Sequence, residues 1–259
     1  MGRFAAILSK RGQNVSGNIV QMLRAGINQA PDVQGVSIGG VAIIKGRIKL
    51  SDLPETPIAL GHSLTKIHPE DPPQPLTQYG YSFSIEGRNL RGTGQSTASS
   101  TGDALGKDPV EGLTRLVTGG KGTFAIIALY NQTLLGARDP VGTIPLYYGE
   151  NESIAAMASS MKMLWSIEVE AHSLEPGSML RITEKGSAIA PVYVLTQPPL
   201  RGITLSEATL ELDKLMTDSV ASRTWGLAKA SLGFSGGIDS SILAYYLDKA
   251  GVELDLICV

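Results

Sequence analysis

Cysteine is all but absent: the 259-residue chain has one, Cys258, so no internal disulfide can form, which fits a reducing cytoplasm. Histidine is nearly as scarce. His62, His68 and His172 lie far apart, and with a lone cysteine no metal-ligand spacing emerges. Neither charge is in excess: 22 basic against 24 acidic residues leave a formal charge of −2, no footprint for nucleic acid or an anionic membrane. Long apolar runs are missing, and the first residues lack a basic start, an apolar stretch and a cleavage site. Neither a spanning helix nor a signal peptide is therefore expected. Met1-Gly2 resembles a myristoylation start, but Ala6 stands where serine or threonine is required. What the chain does have is core material, 42% hydrophobic residues, and many turn formers, 30 glycines and 14 prolines. Its length suits one large domain or two smaller ones.

Residues 1–193 predict a strand-rich domain with few helices. Strands are expected at Arg3–Ser9, at Val36–Ile44 and Arg47–Leu50 around a turn at Lys45-Gly46, and at Tyr79–Ile85. Asn18–Ala30 predicts a helix carrying Ile19, Leu23 and Ile27 near a four-residue spacing. Proline-rich residues 54–78 read as irregular, and Gly/Ser/Thr-rich residues 88–108 as a mobile loop. Val110–Val117 predicts a short helix. Thr123–Tyr130 with Thr133–Ala137, and Ile144–Tyr148 with Ser153–Ala158, predict two strand pairs. Met161–Ile167 reads as a brief helix, and Met179–Thr183 and Ala188–Tyr193 as closing strands. Residues 194–203, with Pro198-Pro199, read as a linker. Thr204-x-x-Glu207 is a capping box opening a helix to about Ser222, with Leu205, Ala208, Leu212, Leu215 and Val220 on one side.

The last thirty residues are the most informative. A strand, Ser231–Phe234, runs into Ser235-Gly236-Gly237-Ile238-Asp239-Ser240-Ser241. A helix-forming run to Ala250 follows, then Gly251 and a second strand, Val252–Val259. The paired glycines let the backbone approach a bound anion closely. The hydroxyls of Ser235, Ser240 and Ser241, with the free N–H groups of a helix's first turn, make a donor-lined cup at the positive end of a helix dipole. Ser-Gly-Gly-x-Asp-Ser is similar to the pyrophosphate loop of the N-type ATP pyrophosphatases; the competing reading is a Gly-Ser turn before an ordinary helix. Gly102–Lys107 and Gly119–Thr123 lack the spacing of a kinase-type phosphate loop and read as turns. Trp165, Trp225 and Tyr245-Tyr246 read as packing residues, and His62 as a structural hydrogen-bonder.

Both halves together resemble an asparagine synthetase, in which a glutaminase domain of the N-terminal-nucleophile fold precedes an ATP-using synthetase domain. The landmarks are Ala30-Pro31-Asp32 with Gly35, Leu60-Gly61-His62, Gln74-Pro75-Leu76, the run from Leu135 through Arg138-Asp139-Pro140-Val141-Gly142 to Tyr148, Ala158-Ser159 before Lys162, and Glu175-Pro176-Gly177. Arg138 and Asp139 are expected to pair locally. The resemblance implies an α+β sandwich over 1–193 and, over 204–259, the first β-α-β unit of a truncated α/β doubly wound ATP pyrophosphatase domain. A doubly wound sheet needs several such units to close a core.

The family's glutaminase chemistry is expected to be lost. The resemblance places an N-terminal cysteine nucleophile, with its own amine as base, where this chain has Gly2. Removing a nucleophile costs on the order of a millionfold in a hydrolase. Ile85-Glu86-Gly87-Arg88 aligns with the family's Asn-Gly-Glu, so Glu86 puts an acceptor where oxyanion donors are required and Arg88 a cation where a carboxylate should stand. Ser63-Leu64-Thr65 replace the arginine that follows Gly-His. Gly87 and Asp103 are what is left of a vestigial glutamine site.

For the second domain the resemblance implies ATP binding by Phe234, Ser235, Gly236, Gly237, Asp239, Ser240 and Ser241, with Mg²⁺ sharing the phosphate charge. The expected activity is amide formation from a carboxylic acid such as aspartate, with free ammonia, in the cytoplasm. A homodimer is allowed; nucleic acid and membrane are not expected partners. Two alternatives stand beside it: a β-lactam-synthetase-like enzyme using another acid, and a non-catalytic binding or regulatory module.

Overall fold

The computed structural model describes residues 2–26, 30–66, 71–89, 97–119 and 122–258. The chain divides into two units, Met1–Thr196 and Gln197–Val259.

The first unit begins with β1 (Gly2–Ser9), α1 (Ser16–Ala25), β2 (Val33–Ile38), β3 (Val41–Lys45), a 3₁₀ turn at Leu50–Asp52 and β4 (Ile58–Leu64). After β5 (Leu76–Gln78) and β6 (Tyr81–Asn89) come α2 (Thr97–Leu105), α3 (Pro109–Gly119), β7 (Gly122–Tyr130) and β8 (Thr133–Arg138). It closes with β9 (Tyr147–Glu150), β10 (Ile154–Ala158), α4 (Met161–Trp165), β11 (His172–Ser173), β12 (Ser178–Thr183) and β13 (Gly186–Pro191).

These strands form a seven-stranded sheet, β11-β9-β10-β1-β4-β2-β3, and a six-stranded sheet, β13-β12-β8-β7-β6-β5. Every strand contact in both sheets is antiparallel. Three buried clusters show why the strand sequences are apolar on both sides. On β1, Phe4, Ala6 and Leu8 meet Ile127 and Leu134 between the sheets, while Ala5 and Ile7 turn outward to Ile19, Leu23 and Met163 of α1 and α4. On β7, Ala125 and Ile127 face the first sheet, and Phe124 and Ile126 face Leu113 and Leu116 of α3. The order is thus helices, sheet, sheet, helices, each layer burying one stripe or face. Asp108 opens α3 by accepting from the N–H groups of Val110 and Glu111, with Pro109 at the first helical position.

Several elements differ from the sequence expectation. The strand at Ile58–Leu64, expected as irregular chain, is buried throughout and pairs with both β1 and β2. The first hairpin turns at Gly39-Gly40, where φ is +58° and +81°, rather than at Lys45-Gly46, because glycine carries these angles without a Cβ clash. Residues 97–105, expected as loop, form α2, held by burial of Ala98, Thr101 and Leu105. The first helix ends at Ala25 and Ala30 is not helical; residues 27–29 of the expected helix, like 90–96 of the expected loop, lie outside the described residues.

The second unit holds α5 (Leu205–Thr224), β14 (Lys229–Gly233), α6 (Ile238–Lys249) and β15 (Glu253–Ile257). The two strands pair in parallel, a β-α-β arrangement. The capping box forms: Thr204 N donates to Glu207 Oε2 at 2.8 Å, and Glu207 N to Thr204 Oγ1 at 3.3 Å. Helices α5 and α6 are tied by Asp213, which accepts from the Tyr246 hydroxyl at 3.0 Å and from Lys249 at 3.2 Å. Of the expected apolar side of α5 only Val220 is buried; Leu205, Leu212 and Leu215 are exposed. Among the described residues no helix is long and apolar enough to cross a membrane.

Candidate functional site

The front of the first unit brings three predicted positions together. Gly2 opens β1 opposite Leu64, His62 lies on β4, and Glu86 reaches across from β6 in the other sheet. The Gly2 N–H donates to Glu86 Oε2 at 3.1 Å, and Glu86 Oε1 stands 3.3 Å from His62 Nε2. Both side chains are buried, at 1% and 8% exposure for His62 and Glu86. A Cβ at position 2 would sit 2.5 Å from Glu86 Oε1 and 2.6 Å from His62 Cε1, so any larger residue there requires these two side chains to shift.

His62 is not the satisfied hydrogen-bonder that the sequence suggests. Neither ring nitrogen has a hydrogen-bond partner among the described residues, and the same holds for Glu86 Oε1 and Ser84 Oγ. Glu86 itself is firmly placed. The Gln74 side chain accepts from Ile85 N at 2.8 Å and donates to Ile85 O at 3.3 Å, continuing the ladder of β6 where β5 stops. On the other side, Gly87 has φ +100°, and a Cβ there would lie 2.0 Å from the Thr123 carbonyl oxygen. This close approach of β7 accounts for the glycine without any catalytic role.

Asp103 lies exposed on α2 and takes no part in the Gly2–His62–Glu86 cluster; Arg88 is half-buried near the end of β6. Ser63, at the expected arginine position, is buried and accepts from Gln34 Nε2 at 2.8 Å. Arg138 and Asp139 do not pair with each other. The guanidinium donates to the carbonyl oxygens of Ile144, Leu174 and Gly142, at 2.8, 2.6 and 2.6 Å. The fully buried Asp139 accepts from the N–H groups of Phe124, Val141 and Gly142. Both are backbone clamps for the β8–β9 connection.

In the second unit, the loop between β14 and α6 starts at Phe234, whose N–H donates to Ile257 O at 2.8 Å. Gly236 has φ +73°, and Gly237 caps α6 with no side-chain hydrogen bond. Ser235, Gly236, Gly237, Asp239 and Ser241 are exposed; Phe234 and Ser240 are half-buried. The Ser240 and Ser241 hydroxyls donate to Gly237 O at 3.1 and 2.9 Å, and Ser235 Oγ accepts from Gly237 N at 3.3 Å. The first-turn N–H groups of Ile238, Asp239 and Ser240 face outward from the helix start. Beside this turn lies an open cavity of about 550 Å³ lined by Leu212 and Met216 of α5 and by Ile238, Asp239, Ile242 and Tyr245 of α6. Among the described residues no group of three or more His, Cys, Asp or Glu side chains could hold a metal ion.

Residues 88–166 match a family described as the glutamine amidotransferase domain. A Methanocaldococcus jannaschii protein, named provisionally as asparagine synthetase (glutamine-hydrolyzing) 1, is 28% identical over 139 residues. That alignment takes in 47% of this chain and 26% of the relative, about a quarter of its length. Among solved structures, the glutamine phosphoribosylpyrophosphate amidotransferase of B. subtilis, complexed with ADP and GMP, superposes with a TM-score of 0.63 at 17% identity. It covers 99% of this chain and 65% of its own. A structure described as the allosteric regulatory enzyme of purine biosynthesis gives 0.60 at 16% identity, with the same coverage. The first unit therefore carries a glutamine amidotransferase domain match over residues 88–166, and the fold resembles that of these two solved structures.

Proposed function

We propose that this chain belongs to an ATP-dependent amide-forming ligase of the asparagine synthetase type whose glutaminase site is closed, so that ammonia reaches it free rather than from glutamine. The observation that carries the ligase reading is the Ser235–Ser241 loop: a glycine turn with positive φ between a parallel strand and a helix N-terminus. The donor set suits a nucleotide's phosphates. The outward N–H groups offer donors with no Cβ at Gly236 or Gly237 in the way, and the Ser240 and Ser241 hydroxyls, which donate to Gly237 O, would join them on turning away from it. Asp239 is the acidic side chain in the first turn of α6, so Mg²⁺ would be held chiefly by the phosphates themselves. The loop's part is to position the nucleotide and offset its charge while an acid such as aspartate is activated and then captured by ammonia. A cytoplasmic setting accords with this chemistry.

The test is ATP–pyrophosphate exchange by the protein expressed from its complete reading frame, across candidate acids. Exchange with aspartate supports the reading. Exchange with another acid alone assigns a β-lactam-synthetase-like relative, and none with any acid overturns the ligase in favour of a binding module. Gly237→Asp should abolish exchange, because it sets a carboxylate where the phosphates approach. Steady glutamate release from glutamine by the unaltered protein would refute the closed site.

A further inference from the structure

We infer that Glu86 is a built-in occupant: its carboxyl group fills the place where a small carboxyl or carboxamide group would have to sit to meet position 2, and it latches the two sheets together from there. The functional meaning of this occupant rests on the reading of position 2 given above; the physical claim does not.

Four observations converge on it. The inward face of β6 is polar, with Ser82, Ser84 and Glu86 at alternate positions opposite Ser37 and His62, whereas Phe4, Ala6, Leu8, Ile127 and Leu134 make the neighbouring space between the sheets apolar. Ser82 finds the hydroxyl of Ser37 on β2 at 2.6 Å, while among the described residues Ser84 Oγ, Glu86 Oε1 and both nitrogens of His62 are buried without hydrogen bonds, Glu86 Oε1 having only His62 Nε2 near it at 3.3 Å. Buried orphan groups of this kind are costly and uncommon in folded proteins, and their gathering at one point marks a polar lining larger than the single Glu86–Gly2 hydrogen bond uses. Apolar side chains would fill the same space at least as stably, so the arrangement is not what stability alone selects.

The β6 backbone on either side of Glu86 is placed by Gln74 on Ile85 and by the close approach of the Thr123 carbonyl to Gly87. From there the carboxyl group faces a backbone N–H and an imidazole, the donor types that receive a carboxyl or carboxamide ligand. A side chain at position 2 and the carboxyl of Glu86 are therefore mutually exclusive tenants of one site.

The experiment is a double-mutant cycle on thermal stability, with chemical rescue. Gly2→Ala should lower Tm by roughly 3–10 °C in the natural chain, the usual range for overpacking, and by less than about 2 °C in the Glu86→Ala background. Glu86→Ala opens a pocket with its donors unpaired, so sodium formate should raise the Tm of that variant above the value in sodium chloride at equal ionic strength, and leave the natural chain unchanged. Where Glu86→Ala does not fold, Glu86→Asn, which retracts the polar end by one carbon, runs the same cycle. Equal losses from Gly2→Ala in both backgrounds overturn the exclusion, and formate acting no differently from chloride overturns the occupant. Glutamate release by the unaltered protein would sink the functional reading and leave this coupling untouched; loss of coupling would do the reverse.

Discussion

The two units of this chain treat apolar surface in opposite ways. In the first, three buried clusters use both faces of each sheet, and even a fully buried carboxyl such as Asp139 finds three N–H partners. In the second, a two-stranded parallel sheet buries little besides Val220, Leu247 and Val252, while Leu212, Ile238, Tyr245 and Leu256 stand open. Parallel strands are stable where both faces are covered. The polar cluster of the first unit is buried, whereas the Ser235–Ser241 loop of the second is largely exposed. Dense burial and accessible polar backbone are thus found in different halves.

That contrast can be broken most forcefully at Asp139. Asp139→Ala strands the Phe124 and Val141 N–H groups, while Gly142 N keeps the Asp139 carbonyl, and should cost about 3 kcal/mol, lowering the Tm of the first unit by roughly 6–12 °C. Calorimetry with amide exchange should show the loss spread across both sheets and absent from α5 and α6. A purely local loss would mean that the first unit is less cooperative than its layers suggest. Thr204→Ala, which removes the hydroxyl capping α5, should cost about 1 kcal/mol, and exchange should quicken only in the first turn of that helix. Spread beyond α5 would show the second unit to be more cohesive than its exposed surface implies.

The smallest effect sharpens the comparison through pH. The Lys249 ammonium, then the Tyr246 hydroxyl, hold the Asp213 carboxyl below its ordinary value. A depressed folded pKa means that this tie between α5 and α6 is fully present above the unfolded carboxyl's pKa and is lost as pH falls through the lowered folded value. A carboxyl-detected NMR titration should give a midpoint below the usual aspartate range, returning toward it in Lys249→Met. A normal midpoint in the natural chain would remove the tie. Because the pair is exposed, salt should weaken it.

Much of the layered first unit is legible in its residues, because strands and helices with strong local patterning, such as Thr123–Tyr130 and Pro109–Gly119, advertise themselves. Ile58–Leu64 does not. Its neighbours are prolines, its middle is Gly-His-Ser, and burial on both faces erases the alternation by which a strand is read. Helix α2 is hidden by a Ser/Thr/Gly composition of poor intrinsic propensity that only tertiary packing overrides. The candidate site was half visible. Gly2, His62 and Glu86 each stand out in the sequence, but the contact among them spans two sheets and exists only once the sandwich has formed. Arg138 and Asp139 look like partners because they are adjacent, yet successive strand positions point to opposite faces, and each turns to backbone instead.

The tight fit around Gly2 sets an order on any history the chain could have. While Glu86 points at that first strand, a larger side chain at position 2 meets an occupied space. A change at residue 86 that clears the space therefore eases a later change at position 2, whereas the opposite order meets the clash first. Packing across the two sheets thus makes these distant positions depend on one another.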